Sequence, residues 1–176
     1  MNCFISGGCK NGKSHYAQRL AKSMSEEKDC QLYYIATMAP RDEEDRARIR
    51  LHLSDRKGWG FYTLEQPFDL CGCLSRADSS GVFLLDSVTA LLDNEMFRRG
   101  HTDHAAPERL SSELARFAEA TGNTVFVSDY IYSDAVIYER DLTEEYRKGL
   151  ALADRTLAGL CDRVIEIAYG REFVYK

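Results

Sequence analysis

Residues Gly7-Gly8-Cys9-Lys10-Asn11-Gly12-Lys13-Ser14 fit the phosphate-binding pattern G-x-x-x-x-G-K-[ST], and their setting narrows the fold more than any other feature of the chain. The apolar run Cys3-Phe4-Ile5 precedes them, and the helix-compatible stretch His15–Met24 follows. Strand, glycine-rich loop and helix form the context in which this pattern carries meaning. The glycines let the backbone curl so that successive N–H groups point inward at a phosphate chain. The helix adds the positive end of its dipole. Lys13 would reach the outer phosphates, and the Ser14 hydroxyl would serve Mg²⁺. The ligand predicted is a nucleoside triphosphate, GTP or ATP. A glycine turn before an ordinary helix is the bland alternative, and pattern and context together disfavour it.

The rest of the chain alternates apolar, β-rich runs with helical periods, which predicts an α/β fold with a largely parallel sheet. Strands are expected at Cys3–Ser6, Leu32–Ala36, Phe61–Leu64, Val82–Asp86, Thr124–Ser128, Arg163–Ala168 and Glu172–Tyr175. The runs Val-Phe-Leu-Leu and Thr-Val-Phe-Val are continuously apolar, as strands buried on both faces are. Helices are expected at His15–Met24, Asp42–Ser54, Phe68–Arg76, Ser87–Met96, Pro107–Thr121 and Thr143–Leu160. The last two strands, joined by Tyr169-Gly170-Arg171, read as a terminal antiparallel hairpin. Gly100 to Ala106 is polar and reads as a mobile loop.

With 176 residues and no linker or repeat, residues 1–176 are expected to form a single domain. A net charge of −5 argues against a general nucleic-acid binder, so phosphate affinity must be local. No apolar stretch is long enough to span a membrane, and no signal segment is recognisable. The six cysteines form no C-x-x-C pair. Cys71-Gly72-Cys73 could bind metal, but a small apolar helix face is the favoured reading. Free thiols without an export signal suggest the cytoplasm.

Two further constellations could carry chemistry. Val82-Phe83-Leu84-Leu85-Asp86 is an apolar strand ending in a carboxylate, which beside a phosphate loop would hold Mg²⁺ directly or through water. Turn chemistry is the alternative. Arg48, His52 and Arg56 are spaced to share one helix face if the helix persists that far. Two guanidiniums flanking His52 would favour its neutral form, a nucleophile toward phosphorus. A solvated charged face with an incidental histidine explains the same spacing and is, on residue chemistry alone, the more common outcome.

The chain resembles the bifunctional adenosylcobinamide kinase / adenosylcobinamide-phosphate guanylyltransferase family of cobalamin biosynthesis. The matching stretches are Gly7–Ser14, Tyr34-Ile35-Ala36-Thr37, Ala47-Arg48-Ile49-Arg50-Leu51-His52 with Arg56, Trp59 and Thr63-Leu64-Glu65, and Leu84-Leu85-Asp86-Ser87-Val88-Thr89. They run in family order over roughly the first half, with one residue inserted between Arg56 and Glu65. The resemblance implies a P-loop NTPase-like, RecA-like sheet. It also implies two activities: phosphorylation of the aminopropanol hydroxyl of adenosylcobinamide, then transfer of GMP from GTP through an enzyme histidine to that phosphate. By resemblance His52 matches the guanylylated histidine, and Lys13 serves the phosphates. Ile35, Ala36, Thr37, Arg56 and Glu65 fall where the family contacts guanine nucleotide, and Asp86 matches its acidic residue after the fourth strand. Ser14 and Asp86 would be the metal ligands. A homo-oligomer, of the ring-like trimeric kind the family tends to form, and a corrinoid acceptor are also implied.

The second half departs from that pattern. Where the family carries Ser/Thr-Asn-Glu-Val-Gly, this chain has Ser128-Asp129-Tyr130-Ile131-Tyr132-Ser133-Asp134, and the family's Asn-Gln pair appears as Ala153-Asp154. Tyr130, Tyr132 and Tyr138 read equally as a remodelled apolar acceptor pocket or as packing. Two rivals stand beside the transferase: a family relative phosphorylating another small alcohol without guanylyl transfer, and a non-catalytic nucleotide-binding regulatory module. Retention of His52 and Arg56 disfavours the second.

Overall fold

The apolar runs pair into one seven-stranded sheet: β1 (Cys3–Gly7), β2 (Leu32–Ala36), β3 (Tyr62–Glu65), β4 (Val82–Asp86), β5 (Thr124–Asp129), β6 (Arg163–Ala168) and β7 (Arg171–Val174). The structure is a computed structural model that describes residues 1–40, 42–43, 46–47, 49–50, 54, 56–132 and 141–176. The strand order is β3-β2-β4-β5-β1-β6-β7. All neighbours are parallel except the β6–β7 hairpin. That hairpin turns through Tyr169 and Gly170, both at positive φ, the conformation a two-residue hairpin turn requires.

Along the central strands, successive side chains alternate between the two faces. Cys3, Ile5, Leu84, Val125, Val127 and Ile165 pack with Ala17, Ala21 and Met24 of helix α1 (Lys13–Lys28). On the other face Phe4, Ile35, Phe83, Leu85 and Phe126 pack under helices α2 (Val88–Met96), α3 (Ala106–Thr121) and α4 (Asp141–Leu160). The rings of Phe83, Phe117 and Phe126 meet edge-on there, with centroids 5.5 and 6.4 Å apart. Edge-on contact is favourable because the positive rim of one ring meets the negative face of the next. Among the described residues, no helix is long and apolar enough to cross a membrane.

Apart from Asp42–Ser54 and Phe68–Arg76, the expected strands and helices occur with shifts of one to a few residues at their ends. Helix α1 runs a turn beyond Met24 because Asp29 adopts a left-handed conformation that lets its own N–H and that of Cys30 cap the last turn on Glu26 and Ser25. Ser87 caps α2 by accepting from Ala90 N–H at 3.2 Å. The stretch expected as a helix at Phe68–Arg76 is instead a 3-10 helix, Leu70–Arg76. N–H groups at its start are satisfied by carboxylates on neighbouring helices: Asp69 N–H donates to Glu95 at 2.7 Å, and Cys71 N–H to Glu113 at 3.0 Å. Cys73 is fully buried and Cys71 packs against the core, so both serve the apolar face. Burial pushes the Cys73 thiol up to about 11.

The polar loop between α2 and α3 is tied at several points. Asp103 N–H donates to Met96 C=O at 2.8 Å, its carboxylate receives Arg109 at 2.7 Å, and His104 meets Glu145 at 2.7 Å. Of the expected helix Asp42–Ser54, the described residues Glu43, Arg46, Ala47, Ile49, Arg50 and Ser54 are helical. Asp42 precedes them in a bend, and the remainder, His52 among them, lies outside the described residues.

Asp154 of α4 is 4% exposed and accepts the Tyr132 hydroxyl at 2.8 Å through Oδ2. Its Oδ1 is buried without a partner among the described residues. Burial pushes this carboxyl up to about 6, against the opposing pull of the Ser128 hydroxyl and then of the Tyr132 hydrogen bond. Between about pH 4 and about pH 6 the folded chain therefore retains a proton that the unfolded chain releases, and stability falls as pH rises through that window. Asp154→Asn keeps the acceptor for Tyr132 and removes the titration. Urea unfolding should show it more stable than wild type by roughly 1–3 kcal/mol at pH 7, and the difference should shrink toward zero near pH 4.

Candidate functional site

Parallel pairing sends β1, β2, β3, β4 and β5 out of the sheet along one edge. Gly7 stands opposite Asp129, and Ala36 opposite both Asp86 and Glu65. Ligand sites in open parallel sheets form at this carboxyl edge. Here a cleft of about 1490 Å³ opens, lined by Lys13, Ser14, Arg56, Glu65, Asp86 and Asp129 among others.

The phosphate loop is shaped by close approach and by backbone hand. A Cβ on Gly7 would collide with the Ile167 carbonyl oxygen of β6 and crowd Lys13 Cδ at 3.0 Å, so only glycine fits. Lys10 and Gly12 take left-handed conformations, with φ of 59° and 87°, and α1 begins at Lys13 with no side-chain cap. The first-turn N–H groups of an uncapped helix are left for an outside acceptor, and an anion satisfies them. Lys13 is 5% exposed and folds back to donate to Gly8 C=O at 2.6 Å and to Asp129 Oδ1 at 2.6 Å. Cys9, Lys10, Asn11 and Gly12 line the cleft; Gly7 and Gly8 do not.

Across the cleft, Asp86 Oδ2 accepts the Tyr34 hydroxyl at 3.2 Å. Burial, and then the Asp86 charge, raise the Tyr34 phenol well above its ordinary range, so it stays protonated and remains the donor. The Arg56 guanidinium lies over the Tyr34 ring at 3.4 Å. Arg56 is 6% exposed, and its Nε and Nη1 are buried with no partner among the described residues. It sits in a turn rather than on a helix, so the shared face with Arg48 and His52 does not extend to it; those two lie outside the described residues. Trp59 braces this turn against α1, edge-on to His15 at 5.8 Å and under Lys22 at 5.5 Å.

Of the residues singled out between β2 and β4, Ala36, Arg56, Glu65 and Asp86 line the cleft. Ile35 and Thr37 are fully buried and do not. Ile35 belongs to the core beneath α2. The Thr37 hydroxyl donates to Ser87 C=O at 2.9 Å and accepts Ser87 N–H at 2.8 Å, tying the loops after β2 and β4 together. Ser14 and Asp86 face the same cleft, and one hydroxyl with one carboxylate suits Mg²⁺, which takes few protein oxygens and completes its shell with phosphate and water. Among the described residues no group of three or more His, Cys, Asp or Glu side chains is placed to hold a metal ion.

Tyr34 and Asp129 line the cleft but were assigned no role in it from the sequence. Asp129 ends the apolar run Thr-Val-Phe-Val-Ser just as Asp86 ends its own, so the signal was present at both strands. Tyr34 was read only as the start of the family-matching stretch Tyr34–Thr37, because its partners Asp86 and Arg56 are far away in sequence. Tyr130 donates to Glu166 at 2.9 Å, and both Tyr130 and Tyr132 border a separate cavity of about 440 Å³ with Phe4 and Tyr175. Tyr138 lies outside the described residues.

A parallel sheet, a glycine loop opening onto a helix and an acidic strand end together define a P-loop NTPase-like fold. The flagellar accessory protein FlaH from Methanocaldococcus jannaschii superposes with a TM-score of 0.56 at 15% identity, covering 99% of this chain and 77% of that one. The ATPase domain of G40P does so with 0.55 at 11% identity, covering 94% and 68%. At those identities the likeness is one of fold. The family model described as cobinamide kinase / cobinamide phosphate guanyltransferase matches residues 3–174, and the chain belongs to that family. The bifunctional adenosylcobalamin biosynthesis protein CobP of Pseudomonas aeruginosa is 30% identical over 169 residues, covering 93% of this chain and 91% of that protein. Membership thus extends through the second half, where the local motifs depart.

A buried guanidinium with idle N–H groups costs stability, and stacking on Tyr34 offsets part of that cost. Arg56→Met should therefore unfold within about 1 kcal/mol of wild type or be more stable. The same variant should bind a fluorescent GTP analogue at least several-fold more weakly. A stability loss beyond about 2 kcal/mol would instead make Arg56 structural.

Proposed function

We propose that this chain is a nucleotide-dependent transferase of cobalamin biosynthesis with two activities on one corrinoid acceptor. In the first, the aminopropanol hydroxyl of adenosylcobinamide attacks the γ-phosphorus of ATP or GTP. The bond to the β–γ bridging oxygen breaks, and the nucleoside diphosphate leaves. In the second, a ring nitrogen of His52 attacks the α-phosphorus of GTP and pyrophosphate leaves. The phosphate oxygen of adenosylcobinamide phosphate then attacks the same phosphorus, the N–P bond breaks, and adenosylcobinamide-GDP is released. The observation that carries this reading is the convergence of Lys13, Arg56 and Asp86 on one cleft, in a chain matched by the family over residues 3–174.

Phosphoryl transfer needs positioning and charge neutralisation more than covalent help from the protein. Lys13 and the uncapped N-terminus of α1 suit the outer phosphates, and the idle donors of Arg56 suit an anionic or carbonyl oxygen deeper in the cleft. Ser14 and Asp86 would hold Mg²⁺, which would offset charge on the phosphates. Glu65 and Ala36 line the same cleft as Arg56 and would help read a guanine base there. In this reading residues 1–176 work as one domain, in the cytoplasm, within a homo-oligomer that the family resemblance suggests is a trimer.

Incubation with Mg²⁺ and GTP labelled at the α-phosphate, followed by denaturing electrophoresis, tests the covalent step. Acid-labile label on the wild-type chain and none on His52→Ala is the expected result. His52→Ala should still bind GTP. Absence of label on a wild-type chain that binds GTP would remove the guanylyl step, leaving a kinase-only relative or a binding module.

A further inference from the structure

The Lys13 ammonium is already engaged. It donates to Asp129 Oδ1 and to Gly8 C=O, each at 2.6 Å. The side chains in the ion pair are 6% and 31% exposed, so water screens the attraction far less than on an open surface. The carboxylate is also fixed in place. β5 pairs with β1 in a register that sets Asp129 opposite Gly7, and Asp129 N–H donates to the Thr89 hydroxyl at 2.9 Å. Asp129 therefore stands beside the phosphate loop as a second carboxylate of the cleft, on the strand between Asp86 and the loop.

We propose that Asp129 is a positioning residue that competes with the phosphate chain for Lys13, so that occupancy of the loop depends on phosphates able to displace it. The inference rests on reading the cleft as a nucleotide site. A partly buried, charge-assisted hydrogen bond must be exchanged for one to phosphate, and the carboxylate left behind repels the incoming negative charge. A triphosphate that reaches Lys13 gains the ammonium in return. A monophosphate held elsewhere in the cleft makes no such exchange. Asp129 thereby lowers the affinity of phosphate chains that reach Lys13 and leaves those that do not reach it nearly untouched.

Fluorescence titration of the full chain with methylanthraniloyl-GTP and methylanthraniloyl-GMP tests this, using wild type, Asp129→Asn, Lys13→Met and the double variant. Asp129→Asn should bind the triphosphate about tenfold more tightly, the equivalent of one charge-assisted hydrogen bond no longer broken. Its affinity for the monophosphate should stay within about threefold of wild type, since no Lys13 bond is exchanged there. In the Lys13→Met background the gain from Asp129→Asn should fall to a minor part of its value, because the two residues act through one another. Asp129→Glu should behave like wild type. Equal or weaker triphosphate binding by Asp129→Asn, or the same gain in both Lys13 backgrounds, overturns the proposal while leaving the nucleotide site standing. Failure of both wild type and Asp129→Asn to bind either analogue overturns the nucleotide site, and this proposal with it.

Discussion

Everything at the cleft depends on β1 being clamped between β5 and β6. Parallel pairing on both sides leaves no freedom in where β1 ends, and the Ile167 carbonyl lies so close to Gly7 that no side chain can intervene. The loop therefore starts from a fixed point, turns through left-handed Lys10 and Gly12, and delivers Lys13 to the start of α1. The same parallel arrangement brings the ends of β4 and β5, with Asp86 and Asp129, to the same edge of the sheet. Backbone hydrogen bonding thus sets the spacing of the charged groups, and side-chain contacts refine it.

The refinement comes from polar groups buried at cost. Thr37 spends both capacities of its hydroxyl on the backbone of Ser87. Tyr34 gives its hydroxyl to Asp86 and its ring to Arg56. Neither arrangement would be worth its desolvation in an ordinary core, where apolar packing is available without it. Together they hold a carboxylate and a guanidinium at the wall of one cavity. The Lys13 ammonium is held separately, by Asp129 and Gly8.

Most of the fold was legible because its signals are local. Continuous apolar runs marked β4 and β5, and the glycine pattern marked the loop and the start of α1. What was not legible depends on groups brought together by tertiary structure. Leu70–Arg76 is anchored at its start by Glu95 and Glu113 on other helices, which no window around residue 70 contains. Arg56 reads as one more charge of a helical series, and only the Tyr34 ring beneath it distinguishes it. Thr37 sits inside a motif that points to ligand contact, yet its hydroxyl is taken up by backbone. Asp129 differs: the acidic strand end was visible in the sequence, and its meaning came only from the Gly7 register.

The neighbours of β1 also fix when, during synthesis, the loop can take shape. Its partners lie at the far end of the chain: Asp162 and Arg163 N–H groups both donate to Asn2 C=O, and β6 ends at Ala168. Pairings this distant in sequence form late, after the intervening chain has been ordered. During synthesis β1 emerges well before β6 and waits with that side unpaired until residues 163–168 have been made. The segment that reads most clearly in the sequence is therefore among the last to be finished, and a chain cut short before β6 would carry the glycine motif without the wall that shapes it.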